Sequence, residues 1–173
     1  VLAIVLAALV AVFGIGGAKL KGRQASVQAL YTATNEHGSG MTGDLALRAD
    51  AAANLIRLCG QVLGTDDATV QAAQGALDGW NAAADAGGPA DQFAANTVLG
   101  SAVGTMYNKV YDNDKMNEDI ERQYAVFLSA QSTITHTAEE YNSTARQYNN
   151  SLKSFPANIL AGLWGMEEVE LFQ

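Results

Sequence analysis

The chain has 173 residues, 49% of them hydrophobic and 16% charged, enough for one domain with a core of its own. A net charge of −8 argues against a nucleic-acid footprint, which needs clustered Lys and Arg, so no nucleic-acid partner is expected. The single cysteine, Cys59, excludes an intrachain disulfide and any multi-cysteine metal site; within Leu55-Ile56-Arg57-Leu58-Cys59 it reads as a buried, inert thiol.

Residues 1–18 carry no charge and are rich in Val, Leu, Ile and Ala. As a helix they would be ~27 Å long, close to the ~30 Å hydrocarbon core of a bilayer. They are read as a hydrophobic membrane-type or assembly helix, continued by a helical extension over 19–35. A secretory signal peptide is the competing reading, but no cleavage site precedes a new polar start and the helical pattern runs on past Lys19. A chain that starts at Val1 is expected to be either trimmed or processed just before that residue. Ala3, Ala7, Ala11, Gly14, Ala18, Gly22, Ala25 and Ala29 recur at steps of three and four, and Thr32 extends the stripe. Small residues at that spacing let two helix backbones approach closely, which marks a self-assembly seam. Lys19, Lys21 and Arg23 follow the apolar run, and by the positive-inside rule they put the N-terminus outside the cytoplasm.

From 41 to 173 the pattern is that of a helical bundle with clear punctuation. Asn35 to Gly40 breaks the first helix. Asp44 is expected to cap a second helix reaching about Leu63, with Gly64 beyond its end and an N-cap for the third supplied within Thr65 to Asp67. Val70, Ala73, Leu77, Trp80 and Ala84 pattern that third helix, and Gly87-Gly88-Pro89 separates it from a fourth. The fourth uses Phe93, Val103, Tyr107 and Val110 and is expected to reach Tyr111, followed by a turn over residues 112–115. In the last helix Ile120, Phe127, Ile134, Tyr141, Tyr148 and Phe155 fall at steps of seven. Tyr124, Gln131, Ala138, Ala145 and Leu152 form a second series four residues on, and together they make one apolar seam. Pro156 is expected to close the helix. The fold class is therefore all-α: a long N-terminal hydrophobic helix continuing into an elongated antiparallel bundle with a Phe-Pro tail.

The run from Tyr141-Asn142 through Tyr148-Asn149 and Phe155-Pro156-Ala157-Asn158 to Ala161-Gly162-Leu163-Trp164-Gly165-Met166 and Phe172 resembles the C-terminal signature of the LemA family. That signature has paired Tyr-Asn steps, then Phe-Pro-x-Asn, then an Ala and an aromatic-Gly-aromatic element. Met166 replaces the usual second aromatic. Arg48-Ala49-Asp50 with Asn54-Leu55 resembles the family's Arg-x-Asp-Leu-x-x-Asn-Leu element, with Ala51 to Ala53 in place of bulkier residues and a proline. The resemblance implies a bacterial protein with one transmembrane helix and a helical bundle. One branch of the family is associated with magnetosome membrane formation, but no mechanism follows from the resemblance.

Ile159, Leu160, Leu163, Trp164 and Met166 offer an apolar cluster, which either docks on the bundle or lies at a membrane interface. Asn142 and Asn149 either bond across helices to fix register or face solvent. No catalytic, cofactor or metal constellation emerges. His37 and His136 lack a second ligand at metal spacing. Glu139-Glu140 and Glu118 with Glu121 read as a solvated helix face. Asp112-Asn113-Asp114 lacks the glycine and distal glutamate of a calcium loop, and Gly14-Ile15-Gly16-Gly17 lacks the strand that precedes a phosphate loop. Two functions fit. One is a non-enzymatic scaffold or interaction protein in a bacterial cell membrane, single-pass, contacting lipid and self-associating through its first helix. The other is a subunit of an extracellular homopolymeric filament with these helices in its core.

Overall fold

The computed structural model describes residues 16–32, 34–35 and 38–173. Helix α1 is Gly17–Thr32, and two-residue strands β1 (Thr34–Asn35) and β2 (Gly38–Ser39) pair antiparallel, with Thr34 opposite Ser39. There follow α2 (Met41–Leu63), α3 (Ala68–Ala86), α4 (Pro89–Asp112), α5 (Glu118–Lys153) and the short α6 (Ala157–Leu160). The body is all-helical. Residues 1–15, and with them Ala3, Ala7, Ala11 and Gly14, lie outside the described residues. Asn35, expected in the helical extension, belongs to β1 instead.

The helix boundaries have local causes. Asp44 does not cap α2; Gly40 does, and Asp44 sits in the first turn, where a negative charge suits the helix dipole. Gly64 closes α2 at φ 102°, its N–H donating to Gly60 O. Asp67 caps α3, accepting from Thr69 N at 2.9 Å and from Lys109 Nζ of α4 at 2.6 Å. The Lys109 bond, followed by the Thr69 bonds, holds the Asp67 carboxyl well below the usual carboxylate range. Asn117 caps α5 by accepting from Ile120 N at 3.0 Å, and Glu118, Asp119 and Glu121 fill its first turn.

With 36 residues, α5 is about 54 Å long and forms the spine. Ile120, Phe127, Ile134, Tyr141, Tyr148, Ala145 and Leu152 are buried along it. Helix α2 runs antiparallel to it: Thr137 Oγ1 donates to Asp44 at 3.2 Å and Gln123 Nε2 to Ala51 O at 3.4 Å. Helix α1 is antiparallel too, with the Tyr31 and Tyr141 rings 5.2 Å apart and Arg23 donating to Ser151. Helix α4 meets α5 through long side chains: Tyr107 stacks on Tyr124 at 3.7 Å, and Asn96 Nδ2 donates to Gln131 at 3.2 Å. Helix α3 covers the outside, burying Val70, Ala73, Leu77 and Trp80 while Ala84 stays exposed. Cys59 is fully buried, and burial pushes its thiol up to about 11.

One residue of the expected long-helix seam is not in the core. Phe155 is 81% exposed. The helix ends at Lys153, and Ser154 leaves it in extended backbone, so the sevenfold spacing no longer carries the next aromatic onto the seam.

Candidate functional site

After α6 the chain turns through residues 161–165, with Gly165 at φ 60°, and runs back along α5. The paired Tyr-Asn steps hold it there. Asn149 Nδ2 donates to Val169 O and its Oδ1 accepts from Val169 N, both at 2.9 Å. Asn142 does the same to Phe172, both bonds at 2.8 Å. Tyr148 donates to Glu167 O at 3.1 Å and Tyr141 to Glu170 O at 2.6 Å. The registers match for a geometric reason. Seven residues of helix rise about 10.5 Å, and three residues of extended chain span about 10 Å. Residues seven apart on α5 therefore meet residues three apart on the tail, antiparallel. Burial pushes the Tyr141 hydroxyl up to about 12, reinforced by Glu170, so it stays a donor at neutral pH.

The tail also ties down its surroundings. The Glu170 carboxylate lies against Gly88 and accepts from Ala90 N at 3.4 Å, serving the N-terminus of α4. Phe172 is buried edge-on against Phe93 at 5.3 Å. Tyr31 of α1 donates to Gln92 of α4 at 2.7 Å, closing the same end.

Between α5 and this clasp the chain behaves differently. Phe155, Ile159 and Leu163, at steps of four, are 81%, 66% and 74% exposed. Beside them Trp164 lies on the start of α1, where a Cβ on Gly17 would be 3.2 Å from the indole Nε1. Glycine allows that close approach. Lys19, Lys21 and Arg23 are exposed on the same first turns of α1, and Lys153 at the end of α5 pairs with Glu168 at 3.1 Å. The result is an apolar end cap flanked by charges of both signs, Arg23 and Lys153 on one side and the exposed Glu167 and Glu168 after it, next to the start of α1.

The other expected residues fall as follows. Ala18, Gly22, Ala25 and Ala29 are all exposed, while α1 buries Gly17, Leu20 and Val27 against the bundle. Met166 is buried, Pro156 and Trp164 are half-buried and Asn158 is exposed. Asn142 and Asn149 bond the returning tail, a partner the helical pattern does not announce. The Tyr-Asn pair repeated after seven residues was the available signal. Arg48 lies deep in the bundle, at the three- and four-residue steps of Leu45, Ala52, Leu55 and Cys59; its charge, not its spacing, hid it in the sequence. His136, Glu139 and Glu140 are exposed. Among the described residues no group of three or more His, Cys, Asp or Glu could hold a metal, and no helix is long and apolar enough to cross a membrane.

The model of the LemA family matches residues 38–173, a span that contains both the Arg48 segment and the whole C-terminal clasp. No match is found among curated proteins or solved structures.

Proposed function

Because this chain belongs to the LemA family, we propose that it is a non-enzymatic, membrane-anchored scaffold or interaction protein that holds its bundle against the bilayer surface. The observation that carries this reading is the end cap. Phe155, Ile159 and Leu163 are exposed beside Trp164 and Gly17, next to the uncharged run that would enter the membrane. Exposed apolar side chains cost little when lipid covers them, and an indole is favoured at the headgroup level. Lys19, Lys21 and Arg23 then stand at the headgroups, where each basic residue contributes about 1 kcal/mol on an anionic surface. Family proteins are generally membrane-associated, which supports the same placement.

Self-association through the first helix is the second half of the reading. Ala18, Gly22, Ala25 and Ala29 line a bundle-free face of α1, and open space surrounds Gly22. A second copy could approach closely along that face. Fractionation of the full chain expressed in bacteria tests both halves. The expected result is a membrane fraction released by detergent and not by high salt, with cross-linked oligomers that Gly22→Leu with Ala25→Leu abolishes. Recovery of a detergent-free monomer would overturn the anchor. Detergent-independent polymers under the electron microscope would instead favour the filament subunit, for which the same exposed small-residue face is the supporting feature.

A further inference from the structure

Arg48 is only 3% exposed, yet among the described residues no carboxylate pairs with it. Its guanidinium lies 4.0 Å over the Phe127 ring, and Nη1 donates to Asn96 O at 3.1 Å and to Asn96 Oδ1 at 2.5 Å. Nε has no partner, and Nη2 makes no hydrogen bond among the described residues. Burial lowers the group to about 10, so it remains a cation at neutral pH. A buried charge with unused donors is costly unless an acceptor reaches it.

The place for that acceptor adjoins it. Between α4 and α5 lies a cavity of about 650 Å³ lined by Arg48, Asn96, Gly100 and Gln131, with apolar walls from Phe93, Ile134 and Phe172. A Cβ on Gly100 would sit 2.8 Å from Arg48 Nη2, so glycine at this position lets the guanidinium lie against the α4 backbone at the cavity wall. Nη2 and Nε share one edge of the guanidinium, the edge that receives a carboxylate side-on.

We propose that this cavity between α4 and α5 is a binding site for the carboxylate of an organic acid with an apolar body, held by Arg48. The carboxylate accepts from Nη2, the guanidinium nitrogen beside Gly100, while Nη1 stays on Asn96. The apolar body lies against Phe93, Ile134 and Phe172. One cation with Glu139 at the rim suits a monoanion better than a phosphate dianion. The acid can be a free small molecule or the C-terminus of a peptide, since both present the same group.

Calorimetric titration of the full chain in detergent micelles decides the matter, with benzoate, benzamide, inorganic phosphate, and acetyl-Ala-Phe as free acid and as amide. Saturable binding of benzoate and no binding of benzamide is the expected result. A peptide acid that binds more tightly than benzoate, while its amide does not bind, supports the same carboxylate site and assigns it to chain termini. Arg48→Gln should abolish binding. Gly100→Ala, which favours the helix and so preserves the fold, should weaken benzoate roughly tenfold by displacing Nη2. The proposal is overturned by equal binding of benzoate and benzamide, by no saturable binding of either acid, or by phosphate binding more tightly than benzoate. It is also overturned if Gly100→Ala keeps full helicity and full affinity.

Discussion

Residues 154–165 and 166–173 follow one another in the chain and meet opposite fates. The first stretch is the more apolar, yet its Phe155, Ile159 and Leu163 face outward. The second carries Glu167, Glu168 and Glu170, yet it is bonded to α5 at four successive points. Hydrophobicity alone does not decide which part of a tail docks. An extended segment brings unpaired N–H and C=O groups with it, and it seats where side chains satisfy them in register. The two asparagines do what a neighbouring β-strand would do, one amide donating and accepting on the same tail residue.

The sharpest way to break the clasp is through its buried ring. Tyr148→Ala removes a fully buried aromatic and the bond to Glu167 O, and should cost about 3–5 kcal/mol in chemical denaturation. A smaller loss is expected from Asn149→Ala. It orphans both the N–H and the C=O of Val169 and should cost about 2–3 kcal/mol. Because the damage is local, protease should cut the tail of this variant before the bundle unfolds; simultaneous loss of both would show that the clasp and bundle are one cooperative unit. Phe155→Ala belongs at the bottom of the series. With its ring exposed, the substitution should change stability by about 0.5 kcal/mol or less. Its effect should appear instead as weaker binding of vesicles of mixed neutral and anionic lipid, and a large loss of stability would contradict the outward placement of the ring.

Much of the bundle was legible because helix burial follows a short repeat. The sevenfold spacing from Ile120 to Tyr148 places those side chains on one face whatever the neighbours are, and all of them are buried. Gly64, Asp67 and Pro89 mark their boundaries through local backbone chemistry and a side-chain cap. Asp44 was a weaker guide, since an acidic residue is also welcome inside a first turn. Phe155 misled because spacing has meaning only while the helix continues, and this one stops at Lys153.

Composition and periodicity thus determined the all-α class and the position of the long spine, and the motif residues in the last third carried the family resemblance. Only the tertiary structure decided what Asn142, Asn149 and Arg48 touch. Their partners lie 20 to 48 residues away on other segments, and the bonds depend on how a helix rise matches an extended chain or how far two helices stand apart. Local sequence sets backbone conformation through interactions within a few residues. A polar side chain's role in the interior is set by whichever groups the whole fold brings to it.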